Sequence, residues 1–394
     1  MGGGLPSSAP VPLAADSASI AARADAAGSL AVDTEFVSER RYRPLLCLVQ
    51  VSVAEATGEA PTIEVFDPLA GPDLGPLAGA LGDPGVEVLM HAARQDVGLL
   101  RRDLGTEVTA LFDTQVAAGF LGLGGQVGYT DLVSRVLGVR PTPSEGFTRW
   151  DKRPLSEEQL TYARGDVEHL PALAAALRER LEAAGRLEWA LEECRPLEAS
   201  SVERDQENVF RRLPGLAKLK GPGRAAAREL VAWREEVAEA ADRAATSVLP
   251  DHVLVELARR PPATPQALEN VRGLPEATRH RRGTELLAAI ERGREREAPP
   301  AAPGAPRPDP ADAPVMGLAQ ALLRQRALEN DVSAELVANQ ADLGRVVAAV
   351  RAGEPEPDAR PLAGWRRELV GEELLELLAG GGALRVGRTG VERV

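Results

Sequence analysis

Leu30-Ala31-Val32-Asp33-Thr34-Glu35-Phe36 is an apolar run ending in two carboxylates, and its reading decides how the rest of the 394-residue chain is understood. Successive side chains of a strand face opposite sides of the sheet, so Asp33 and Glu35, two residues apart, share one side. Like charges held together raise each other's pKa unless a cation sits between them. Hard divalent ions such as Mg²⁺ or Mn²⁺ take oxygen ligands and would relieve that conflict. A solvated strand end has the same pattern, so the pair needs support from elsewhere in the chain.

Around it, residues 29–33, 45–54, 62–66, 86–90 and 108–112 are short runs rich in Val, Leu and Ile that predict strands. Helical spacing predicts a helix over 93–103, and past residue 113 helices take over at 114–120, 130–137 and 156–184. The last of these opens on Ser156 with Gln159 three positions on, a capping box, and Pro171 should kink or split it. The expected fold class is α/β: a mixed sheet whose three early strands form an antiparallel meander beside parallel neighbours. Further helices at 225–245, 251–259, 264–271 and 282–292 form a small all-helical set, and a second set fills 315–394. Between them, residues 299–314 hold seven prolines in sixteen positions, which predicts an extended linker.

A chain of this length implies about two to four domains. The expected division is a flexible N-terminus over 1–14, the α/β unit over 15–200, helical units over 210–295 and 315–394, and a Pro-rich linker over 296–314. With 44% hydrophobic and 27% charged residues the chain can bury real cores. It has no run approaching the roughly 18 apolar residues of a membrane helix. The first 28 residues are wrong for a secretory signal, so a cytoplasmic protein is expected. Two cysteines and four histidines give neither a disulfide framework nor zinc spacing, so any metal must be held by oxygen. The net charge of −13 argues against nucleic acid only as an average. Residues 1–196 carry −11, 197–300 carry +1 and 301–394 carry −3, and Arg211 to Arg224 holds five basic residues with no acidic one. An acidic module followed by a basic strip suits an enzyme that gathers carboxylates in one place and grips a polyanion in another.

Asp96 lies just inside the helix that follows the strand over 86–90, and Tyr162 and Asp166, spaced i and i+4, project from one helix face. The ordered set Asp33-x-Glu35, Asp96, Tyr162-x3-Asp166 resembles the ribonuclease D family, in the DEDD superfamily of 3′→5′ exonucleases, of the subclass with tyrosine in the last motif. Leu46-Cys47-Leu48-Val49-Gln50, the segment His91 to Val97, and Thr148-Arg149-Trp150 leading through Arg153-Pro154-Leu155 extend the likeness across the first 200 residues. The sister subclass has histidine five residues before the last aspartate, where this chain has Thr161.

The resemblance implies a ribonuclease-H-like exonuclease unit in which Asp33, Glu35, Asp96 and Asp166 hold two Mg²⁺ or Mn²⁺ ions about 3.5 to 4 Å apart. One ion would activate a water and the other would steady the departing 3′ oxygen, with Tyr162 orienting the water. It implies RNA with a free 3′ end as partner, transfer-RNA precursors as a substrate class, and 5′-mononucleotides as product. No protein partner is evident. Phe36 and Trp150 are candidates to stack on a base, and Arg149, Arg153, Lys218 and Lys220 to meet phosphates. His169 is expected as a packing or exposed residue, and Gly122-Leu123-Gly124-Gly125 as a turn. Residues 210–293 resemble the helicase-and-RNase-D C-terminal (HRDC) domain through Ala232-Trp233-Arg234-Glu235, Val248-Leu249-Pro250-Asp251 and Val271-Arg272-Gly273-Leu274. Residues 315–394 resemble a divergent second copy. A single-stranded DNA exonuclease and an RNA-binding protein without turnover are the alternatives.

Overall fold

The computed structural model describes residues 13–55, 59–141, 149–297, 309–388 and 390–394. Residues 1–12 of the expected N-terminal segment, Thr148 and residues 298–308 of the Pro-rich linker lie outside them.

The first unit is built on a five-stranded sheet. Its elements run α1 (Ala18–Ala27), β1 (Ser29–Val37), β2 (Leu45–Val53), β3 (Thr62–Phe66), α2 (Gly75–Gly82), β4 (Glu87–Met90), α3 (Arg94–Leu104) and β5 (Leu111–Asp113). Then come α4 (Thr114–Gly119), α5 (Tyr129–Leu137), α6 (Glu157–Glu168), α7 (Leu170–Ala183) and α8 (Leu187–Glu198). Strand order is β3-β2-β1-β4-β5, with β1, β2 and β3 antiparallel and β4 and β5 parallel to β1. This is the expected meander beside parallel neighbours. The split at Pro171 is also present, because α6 stops at Glu168 and α7 takes the proline in its first turn.

Alternation along β1 sends Leu30 and Val32 into a core shared with α1 and α2, where Ile20, Leu77 and Leu81 are fully buried. Ala31, Asp33 and Glu35 take the other face, which α6 and α7 cover. Between Glu35 and Phe36 the β1/β2 register shifts by one residue. Such a bulge twists the strand and re-aims the side chains beside it.

The middle unit has α9 (Gln206–Arg211), α10 (Gly221–Ala240), α11 (Ala245–Val248), α12 (Asp251–Arg259), α13 (Pro265–Glu269) and α14 (Glu276–Glu295) around its own core. Tyr42, from the loop after β1, is buried in that core, and the same loop is fastened by Ala244 N donating to Arg40 O at 3.1 Å and by an Arg41–Asp242 ion pair at 2.6 Å.

The last unit has α15 (Ala313–Glu329), α16 (Ala334–Val337), α17 (Gln340–Arg351) and α18 (Glu372–Leu378), and adds a hairpin, β6 (Leu384–Val386) with β7 (Val391–Arg393), where only helix was expected. It shares a core with α4, α5, α7 and α8 of the first unit. Trp365 stacks on Trp189 at 5.5 Å and meets Phe120 edge-on at 4.8 Å, while its Nε1 donates to Glu193 at 3.2 Å. The Gly122 to Gly125 segment is the expected turn, and it lies against Asp331 and Ser333 of this unit.

Candidate active site

β1 and α6 deliver three acids to one point. Ligand oxygens of Asp33, Glu35 and Asp166 lie within 4.8 Å of one another. The capping box is present as expected, Ser156 Oγ accepting from Gln159 N at 3.2 Å and Gln159 Oε1 from Ser156 N at 3.0 Å. It fixes where α6 begins, and therefore where Tyr162 and Asp166 point one turn apart.

Asp96, in the first turn of α3, stands beside this group rather than within it. Its carboxylate accepts a short hydrogen bond from the Thr34 hydroxyl, supplied by the residue between Asp33 and Glu35. Even so, its charge is felt by both neighbours.

Burial is the first cause of the raised pKa of each of these acids, since it disfavours the charged form. Burial, with the charges of Asp96, Asp166 and Glu35, holds the Asp33 carboxyl well above the usual range. Glu35 is pushed up to about 8 by burial and by Asp166 and Asp96. Burial takes Asp96 and Asp166 up to about 6, against the lowering pull of Thr34 on the one and Tyr162 on the other. The buried Asp166 Oδ2 has no hydrogen-bond partner among the described residues. An unpartnered carboxylate oxygen inside a crowd of carboxylates is the donor set a hard divalent ion selects, and the residues present fit one.

The phenol of Tyr162 is hydrogen-bonded to Asp166, and burial followed by the charges of Asp166, Glu35 and Asp33 keeps it protonated far into the alkaline range. Trp150, 2% exposed, packs on it with ring centres 5.8 Å apart. The sequence reading passed over a second phenol, Tyr129. It accepts from His169 N at 3.2 Å, which ties down the turn just beyond Asp166, and burial raises its pKa with help from Asp166 and Asp33. His91 meets Tyr129 edge-on at 5.8 Å, and its Nε2 donates to Val127 O at 3.0 Å. Nothing in the pattern Gly128-Tyr129-Thr130 marks this role, because it depends on where α5 docks.

The other candidates divide. Arg153 commits all five of its N–H groups to Asp67, Trp150 O, Lys152 O and Cys47 O, so it fastens the strand edge and has none left for phosphate, contrary to expectation. Trp150 is too buried here to offer a face to a base. Arg149 is exposed and paired with Asp151 at 3.1 Å. Phe36 is half-buried against the core. Lys218 and Lys220 are exposed just before α10.

Comparison with known proteins follows the same outline. A family model for a 3′-5′ exonuclease matches residues 12–182, and one for the HRDC domain matches residues 224–290. The ribonuclease D of Gluconacetobacter diazotrophicus is 38% identical over 374 residues, spanning 93% of this chain and 91% of the relative. That of Nitrobacter hamburgensis is 36% identical over 385 residues, spanning 96% and 97%. The crystal structure of Escherichia coli RNase D, an exoribonuclease involved in structured RNA processing, has a TM-score of 0.79 at 29% identity, over 92% of this chain and 96% of that one.

Proposed function

The chain belongs to the ribonuclease D family and is a 3′→5′ exoribonuclease, and from that premise we propose that Asp33, Glu35, Asp96 and Asp166 hold two divalent cations, Mg²⁺ or Mn²⁺, at the point of cleavage. The observation that carries this reading is the convergence of Asp33, Glu35 and Asp166 on one point, with Asp166 Oδ2 unpartnered. When bound, the cations supply a water nucleophile at neutral pH and neutralise charge on the departing 3′ oxygen. Tyr162, held by Asp166 and backed by Trp150, orients the attacking water. Asp96, which stands beside the three acids, would complete the ligand set by turning from Thr34. The product is a 5′-mononucleotide at each step.

The substrate is structured RNA such as transfer-RNA precursors, whose 3′ tail enters the exonuclease unit over residues 15–200. The helical units over 210–295 and 315–394 hold the body of the RNA, with Arg149, Lys218 and Lys220 on its phosphates and Phe36 against a terminal base. The protein works in the cytoplasm; no described helix is long and apolar enough to cross a membrane.

The test is matched RNA and DNA oligomers incubated with Mn²⁺ and either the parent or Asp33→Asn. The parent should release mononucleotides from the RNA 3′ end, and the variant should bind RNA without cutting it. Preference for DNA would overturn the substrate, and equal activity in the variant would overturn the site.

A further inference from the structure

β2 is apolar along most of its length, yet Gln50 and Ser52 stand in it with no exposure at all. Both amide atoms of Gln50 and the hydroxyl of Ser52 lack hydrogen-bond partners among the described residues. Burying such groups unpaired is costly, and a strand of this kind would hold leucine or valine there at no loss of packing. Their position suggests what they are for. In the antiparallel register Asp33 faces Gln50 and Ala31 faces Ser52. Directly opposite residues share one face of the sheet with Cβ atoms about 4.5 to 5.5 Å apart. Gln50 is therefore the immediate cross-strand neighbour of Asp33, on the side away from Asp96 and α3.

We infer that Gln50 is a positioning residue for Asp33: from its place opposite Asp33, a rotation of its amide lets Nε2–H donate to the Asp33 carboxylate while Oε1 accepts from Ser52 Oγ. This single arrangement gives a partner to all three orphaned groups. It fixes the rotation of the Asp33 carboxylate, so that one oxygen is held by the sheet and the other faces the cation site. A neutral amide suits the task because it holds the ionised carboxylate without adding charge to a cluster already crowded with it. The inference rests on the reading of Asp33 as a metal ligand. It also gives a role to the end of the Leu46 to Gln50 motif, which the mechanism otherwise leaves unused.

The experiment is a Mn²⁺ titration of the full chain without RNA, following free Mn²⁺ by electron paramagnetic resonance, alongside thermal unfolding in EDTA. Gln50→Leu keeps the volume and removes both polar atoms. It should weaken Mn²⁺ binding by about 10- to 100-fold, the usual effect of losing such a support, while the metal-free unfolding midpoint holds or rises. Ser52→Ala should weaken binding in the same direction by less. Parent-like Mn²⁺ affinity in Gln50→Leu overturns the inference and would point to an internal water as the partner of these groups. Should Gln50→Leu not fold, Ser52→Ala decides, and parent-like affinity there also overturns it. A parent that takes up no Mn²⁺ would instead bring down the metal reading of Asp33, Glu35 and Asp166 itself.

Discussion

Raising the pH on metal-free protein should loosen the catalytic unit, and Mn²⁺ should reverse the effect. Glu35 moves from its ordinary 4.5 up to about 8, while Asp96 and Asp166 move from 3.8 up to about 6. Each folded value lies above the unfolded one, so the folded chain holds these protons more tightly. The resulting stability is fully present below about pH 4 and is lost as the pH climbs through 6 and then 8. At about 1.4 kcal/mol per unit, Glu35 alone sets a ceiling of about 5 kcal/mol. The acids share protons and titrate as a set, and Glu35 is partly exposed, so about 2 to 3 kcal/mol is the working figure. For a unit of this size each kcal/mol moves the midpoint by about 2 to 4 °C, giving a fall of roughly 5 to 10 °C between pH 5 and 8.5. Scanning calorimetry in EDTA at both pH values measures it. Glu35→Gln, which cannot ionise, should flatten the dependence. Mn²⁺ should raise the midpoint strongly at pH 8.5 and little at pH 5, where protons compete for the same oxygens. A parent whose midpoint does not fall, or a Glu35→Gln that falls equally, would refute the reasoning.

Tyr162→Phe removes the phenolic hydroxyl and leaves the ring on Trp150; kcat should drop on the order of 100-fold, the usual cost of a misplaced reactant, with Mn²⁺ affinity unchanged. A parallel loss of metal affinity would assign Tyr162 to the ligand set instead. Trp365→Ala should cost about 3 to 5 kcal/mol and free the last unit to early proteolysis; a cost under about 1 kcal/mol would mean that the shared core with Phe120 and Trp189 does not hold it. Replacing Arg149, Lys218 and Lys220 together by Ala should reduce the slope of RNA affinity against salt by roughly 2 to 3, since each phosphate contact contributes about 0.7 on a single strand and about 0.9 on a duplex. An unchanged slope would remove them from the RNA path.

Much of this was legible in the chain because the signals are local. The run Leu30 to Val32 gave β1, the period of two put Asp33 beside Glu35, and the helical spacing put Tyr162 beside Asp166. What was hidden depends on packing. β1 runs on through Thr34, Glu35 and Phe36 to Val37 because β2 pairs with it along that length. α2 is Gly-Pro-Leu-Ala-Gly-Ala-Leu-Gly, a poor helix former by propensity, and stands because Leu77 and Leu81 are buried and Ser17 Oγ accepts from Leu77 N at 3.0 Å. Arg153 looked like a phosphate ligand because its partners Asp67 and Cys47 are far away in sequence. Tyr129 and the burial of Gln50 follow from the docking of α5 and the β1/β2 register, which no local pattern announces.

The central claim is that these four carboxylates hold paired cations, and anomalous diffraction from Mn²⁺-soaked crystals tests it most directly. Two peaks between Asp33, Glu35, Asp96 and Asp166, with the Asp96 carboxylate turned from Thr34 toward them, are the predicted result. A map empty at that point, or Mn²⁺ bound elsewhere on the chain, would contradict it.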